Sequence, residues 1–298
     1  MSGLSRLGPA TIVSRYRLDE TLWSAQREAL HRAYDQSTQR FVALRFVEPP
    51  HHTRERHRSM ADVILERTRS LDHRNILRVL DGGIDEEDRL FLVHDLVDIR
   101  PLSNWAGAPL HEDRICEVGA QVSRALEAAH GRGVVHGDLT PRRIWLERVP
   151  LSLERRVVVS DFGWWAGPHS EDAWSAGGLF RDPAYVSPEE VRGEPPSGRS
   201  DIYALGLILW ELCHGRVPFD AREPVTILKS HLSGLQVNLH LVRRDLPRDL
   251  ADLITAMLST RSDDRPSAGR HPAFARRRRT TAARDETRTG GELTRPRT

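Results

Sequence analysis

Two aspartates, Asp138 and Asp161, form the pair in this chain best placed to do chemistry together. Val134-Val135 leads through His136 and Gly137 to Asp138, and Val157 to Val159 leads through Ser160 to Asp161. A third apolar run, Ile144 to Leu146, lies between them. An ionised carboxylate accepts hydrogen bonds and binds hard cations. Read as short strands, these runs deliver both acids to loops, where a rigid scaffold commonly carries a site.

The stretch V-V-H-G-D-L-T-P-R-R-I-W-L followed by V-V-V-S-D-F-G resembles, in order and spacing, the catalytic core of the protein kinases. Each motif alone is a weak signal, and three C-terminal matches strengthen the pair. Ser187-Pro188-Glu189 stands where that family has A-P-E, and Ser200 to Gly206 resembles the start of its buried central helix. Arg265, in D-D-R-P-S, matches the arginine that pairs with the A-P-E glutamate. H-G-D-L also occurs in aminoglycoside-type small-molecule kinases, but S-P-E and the Asp201 helix do not fit those. The resemblance runs from Tyr16 to Phe274 and is nearest to the bacterial (Hanks-type) Ser/Thr kinases. It implies an α+β, two-lobed fold. Residues 15–97 would form a small β-rich lobe with one helix and 98–275 a larger, mainly helical lobe. Residues 1–14 would be a flexible lead-in and 276–298 a disordered arginine-rich tail.

In that family the first aspartate accepts or orients the substrate hydroxyl proton and the second holds magnesium on the ATP phosphates. The resemblance carries these roles to Asp138 and Asp161, with ATP and Mg²⁺ as cofactors of an active domain. Asp95-Leu96-Val97 would be the hinge that meets adenine, His94 the gatekeeper beside it, and Ala43 a further lining residue.

The departures cluster where phosphate and metal would bind. Between Leu22 and Leu30 the chain reads W-S-A-Q-R-E-A in place of G-x-G-x-x-G. Trp23, Ala25 and Glu28 take the glycine positions, so close backbone approach is lost and a carboxylate faces the phosphate site. V-A-L-R supplies Arg45 for the family's lysine. A planar guanidinium does not replace a compact ammonium, and one lost charge-assisted hydrogen bond costs about 1.5–3 kcal/mol. The chain's one lysine is Lys229, so no neighbouring strand can supply another. Counting back from His73-Arg74-Asn75-Ile76 places Ile64 at the position of the helix glutamate, with Glu66 two residues on. Arg143 replaces the metal-binding asparagine, and a guanidinium repels Mg²⁺. Arg143 is instead expected to pair internally with Asp138 or Asp161. Thr140 replaces a phosphate-neutralising lysine, and Gly137 replaces the arginine that reads a phosphorylated activation loop.

Trp145 takes the position beneath the adenine ring, where its indole would either fill the pocket or serve as plain core. Trp164 and Trp165 follow D-F-G directly, in an activation segment from Gly163 to Ser187 that contains Ser170 and Ser175.

The elements needed to position these groups are legible as periodicity. Tyr16 to Val47 reads as three strands, with Phe41 to Phe46 the clearest. Thr53 to Leu71 reads as a helix, Leu77–Leu80 and Leu90–Val93 as strands, and His111 to Arg132 as a helix broken by Gly131 and Gly133. Ser200 is placed to cap the buried helix that follows, Pro218-Phe219 to end that element, and Leu250 to Leu258 to complete the large lobe.

Length and composition agree. The 298 residues suit one two-lobed domain, and 39% hydrophobic with 29% charged residues suits a soluble globular chain. A net charge of +2 argues against a nucleic-acid-binding domain. Cys116 and Cys213 form no disulfide framework, which with the lack of a secretory signal points to a cytoplasmic location. The expectation is a pseudokinase acting on a protein partner, whether a kinase, a substrate or a signalling complex. The alternative is a slow, active Ser/Thr kinase. Arg276–Arg279 could place the tail near an anionic membrane or acidic protein.

Overall fold

The computed structural model describes residues 12–24, 28–47, 54–97, 99–105, 107–147, 155–162, 182–235 and 239–274. The N-terminal lobe is a six-stranded antiparallel sheet: β1 (Ile12–Val13), β2 (Tyr16–Ser24), β3 (Glu28–Asp35), β4 (Arg40–Val47), β5 (Val79–Ile84) and β6 (Leu90–Asp95). Their spatial order is β1-β2-β3-β4-β6-β5. Residues 12 and 13, expected as loose lead-in, pair with Arg17 and Tyr16. Val13, Tyr16, Ala29, Ala33, Val42, Leu44, Phe46, Phe91 and Val93 bury one core of this lobe. The lobe's helix, α1 (Arg54–Thr68), packs on β5 and β6.

The larger lobe is helical around a small sheet. β7 (Ile99–Pro101), β8 (Ile144–Glu147) and β9 (Arg156–Val159) pair antiparallel in that order. Its helices are α2 (Glu112–His130), α3 (Pro188–Val191), α4 (Gly198–His214), α5 (Pro224–Ser233), α6 (Leu239–Val242) and α7 (Arg248–Met257). On α2 the buried Ile115, Val118, Val122, Leu126 and Ala129 recur at helical spacing, and on α7 so do Leu250, Leu253, Ile254 and Met257. Both stripes meet α4, which is apolar nearly all round and buried from Ser200 to Trp210. The two lobes are stitched by backbone bonds, Val159 N–H to the Asn75 carbonyl at 2.9 Å and Leu77 N–H to the Val159 carbonyl at 2.8 Å.

Three local expectations need correction. Val134-Val135 is not a strand, because its run is short and Val134 N–H is spent on the Ala129 carbonyl at the end of α2. The cap of α4 is Ser197, whose hydroxyl accepts from Arg199 N–H, while Ser200 sits one turn inside the helix and is buried. The helix ends at His214 on Gly215, whose φ of 78° suits a residue without Cβ, ahead of Pro218-Phe219.

Candidate active site

The loop bearing Asp138 is hung from beneath. Asp201, in the first turn of α4, accepts the backbone N–H groups of His136 and Gly137 at 2.9 and 2.8 Å, and His130 Nε2–H at 2.8 Å. Gly137 has φ 74°, a conformation that favours glycine, so the residue here serves the turn. His136 is fully buried: its Nε2–H donates to the Ser160 carbonyl at 2.9 Å and its Nδ1 accepts Asp138 N–H at 3.2 Å. Its ring lies edge-on to Phe162 at 4.9 Å. One imidazole thus ties both acid loops together. A second brace lies below. Glu189 takes two hydrogen bonds from Arg265 at 2.7 Å and one from the Ser200 hydroxyl at 2.7 Å. Burial alone would raise the Glu189 carboxyl, but these donors outweigh it and hold it at about 2.

Above that frame Asp138, Asp161, Arg143 and Arg45 converge. Asp161, 4% exposed and with φ 66°, forms an ion pair with Arg45 and a second with Arg143 at 3.1 Å. Arg143 also reaches Asp138 at 3.4 Å. The fifth member is Glu28, at the start of β3. It pairs with Arg45 at 2.7 Å and with Arg143 at 3.3 Å. Burial opposes ionisation of Glu28 and Asp161, but Arg45 and Arg143 prevail and hold both carboxyls below their usual range. Burial works against the Arg143 charge too, and Asp161, Glu28 and Asp138 outweigh it.

Glu28 has a role that its place in the chain does not show: it is a counter-ion of Arg45. It was expected to repel phosphate, and its pairing with Arg45 was not foreseen. The available signal was the helix. Ile64 is buried against Val79 and Leu92 while Glu66 is exposed, so neither position the sequence offers on α1 presents an acid to Arg45. A buried guanidinium then needs its counter-ion from another element. The antiparallel register sets Leu30 opposite Arg45 and Glu28 opposite Val47, two residues along the same face.

The remaining predicted positions are less closely knit. Ala43 is buried opposite His94, Asp95 ends β6 exposed, and Val97 is half-buried beyond it. His94 is buried, its Nδ1 3.2 Å from the Arg78 carbonyl, and burial pushes its imidazole toward the neutral form. Trp145 is buried on β8 between Ile144 and Leu146, which turn into the large core while it does not. Its indole N–H donates to Ser160 Oγ at 2.9 Å, and that hydroxyl donates to Asp161 at 2.8 Å. Ser160, which the sequence did not single out, therefore links the tryptophan to the charged cluster. Ala25, Trp164, Trp165, Ser170, Ser175 and Arg276–Arg279 lie outside the described residues.

Whether these side chains suit Mg²⁺ and ATP follows from their donor set. Both Asp161 oxygens already accept from guanidinium or hydroxyl donors, and Arg143 brings a positive charge to the metal position. Among the described residues, no group of three His, Cys, Asp or Glu side chains is arranged to hold a metal ion. Arg45, the cation placed for phosphate, is engaged on both sides by acids. The set as arranged does not fit a metal–triphosphate complex.

A family model described as a protein kinase domain matches residues 27–273. Among curated proteins, Ser/Thr-protein kinase PksC of Streptomyces coelicolor is 31% identical over 282 residues, 88% of this chain and 48% of PksC. Ser/Thr-protein kinase pkn3 of Myxococcus xanthus is 33% identical over 230 residues, 75% of this chain and 42% of pkn3. The chain thus spans about half or less of the length of these relatives. Among solved structures, the kinase domain of Mycobacterium tuberculosis PknI superposes with a TM-score of 0.67 at 24% identity, covering 88% of this chain and 95% of that one. The two-lobed fold is therefore that of the kinases, and the chain belongs to the protein kinase family, with bacterial Ser/Thr kinases among its relatives.

Proposed function

We propose that this domain is a pseudokinase, a kinase-fold module that regulates or scaffolds signalling by binding a protein partner. One observation carries the reading. The two guanidiniums at the positions of the phosphate lysine and the metal asparagine are both held by the domain's own acids, Glu28, Asp161 and Asp138. The framework beneath, with Asp201 on the loop and Arg265 on Glu189, keeps all its contacts. Losses confined to phosphate and metal contacts fit a shape retained for binding. We also assign the domain to a reducing cytoplasm, with support from Cys116 and Cys213, both buried and in no disulfide.

A transfer assay with radiolabelled ATP, with Mg²⁺ or Mn²⁺ and a generic protein substrate, tests this. The expected result is no incorporation above background. Incorporation abolished by Asp138→Asn would contradict it. A second reading, a slow Ser/Thr kinase, is favoured by the convergence of Asp138, Asp161 and Arg45 in one cleft. It predicts that Mg-ATP raises the Tm, where the pseudokinase reading predicts no shift.

A further inference from the structure

Arg45 occupies the place of the family's phosphate-contacting lysine, and beside Asp161 a second anion, Glu28, is seated on it. Glu28 Oε2 lies 2.7 Å from Arg45 Nη2 and 3.4 Å from Arg143 Nη1, and Oε1 lies 3.3 Å from Arg143 Nη2. Two oxygens of one anion shared between two donor forks is also how a phosphate group is held. On the far side of Arg143, its charge lies 3.1 Å from Asp161 and 3.4 Å from Asp138. Asp161 is the acid at the magnesium position, so the Arg143 charge stands where the metal's would.

We propose that this cleft is occupied by its own side chains, with Glu28 a built-in competitor for phosphate and Arg143 a built-in substitute for the metal. The inference deepens the pseudokinase reading and rests on it. The ligand class that follows is a nucleoside polyphosphate taken without a divalent ion once Glu28 leaves. Exposure shows which member can leave. The Glu28 side chain is 24% exposed, whereas those of Arg45 and Asp161 are 5% and 2%. A rotation would carry Glu28 into water, while Arg45 and Asp161 are fixed by burial. Charge points the same way. Glu28 sets a carboxylate against both guanidiniums, so an arriving polyphosphate meets negative charge there, and neutralising Glu28 removes that charge from each donor fork.

The test is a titration of the full chain with a fluorescent ATP analogue, in EDTA and again in MgCl₂. Wild type, Glu28→Gln and Arg143→Asn are compared, with circular dichroism melts to establish folding. Removing the competing charge, at the value of one charge-assisted contact, should make Glu28→Gln bind about ten- to a hundredfold tighter than wild type. That binding should be equal in EDTA and Mg²⁺. Arg143→Asn, which returns a metal-compatible side chain, should bind more tightly in Mg²⁺ than in EDTA. If Glu28→Gln does not fold, Glu28→Ala repeats the test with a smaller neutral side chain. A folded, neutral Glu28 variant no tighter than wild type, or one that needs Mg²⁺, overturns the inference alone. Tight Mg-ATP binding and phosphate transfer by the wild type overturn the underlying reading as well.

Discussion

Two of the buried ionic assemblies among the described residues differ in what holds them. In the lower one, Arg265 and Glu189 pair in parallel at 2.7 Å, and the guanidinium also donates to the Ser259 and Arg199 carbonyls at 2.8 and 2.9 Å. Its carbon lies 4.7 Å from the Tyr203 ring centroid. Charge is matched one to one. In the upper one, two guanidiniums are shared among three carboxylates, several contacts stretch to 3.3–3.4 Å, and Glu28 reaches solvent. A matched, fully bonded pair gains from staying as it is. A shared cluster with stretched contacts is one that a ligand or a single substitution can rearrange.

The sharpest way to break this contrast is to remove one partner of the lower pair. Arg265→Ala leaves Glu189 buried without its counter-ion and should cost about 3–5 kcal/mol, read from urea denaturation. An acid series sharpens it. Glu189 falls from an ordinary 4.5 to about 2, so the stability it contributes is present above pH 4.5 and is lost as pH falls toward 2. Wild-type Tm should drop across that window, and the drop should be smaller in Arg265→Ala.

The helix α1 offers a smaller effect. Ile64→Ala opens a hole in a buried cluster and should cost about 2–5 kcal/mol, near the low end because that cluster is small. Glu66→Ala, at an exposed site, should stay within about 0.5 kcal/mol. A large loss at Glu66 would mean that this residue, and not Glu28, is the counter-ion of Arg45. Between those two lies Trp145→Phe, which keeps an aromatic ring of smaller volume and removes one N–H to Ser160. It should cost about 1 kcal/mol by thermal melt, since Ser160 keeps its bond to Asp161.

Much of this was legible in the chain. Asp201, Glu189, Arg265, His136 and the two acids lie in compact motifs whose contacts are largely local or run to other motifs. The apolar periodicities of α2 and α7 placed the elements within a few residues. Three features were not legible, for separate reasons. Val134-Val135 looked like a strand because composition cannot show that no neighbour pairs with it. Ser200 looked like a cap because it offers the same chemistry as Ser197 three residues earlier, and what separates them is the Arg199 N–H on Ser197 and the Glu189 contact of Ser200. The partner of Arg45 depends on the β3–β4 register together with the orientation of α1, and neither is a property of one segment.

The most direct test of the central claim is a crystal grown with ATP and MgCl₂. The account predicts that Glu28 remains on Arg45 and Arg143, with no divalent ion at Asp161. Nucleotide seated in the cleft, with a metal bridging its phosphates to Asp161 and with Arg45 turned from Glu28 onto phosphate oxygens, would contradict it.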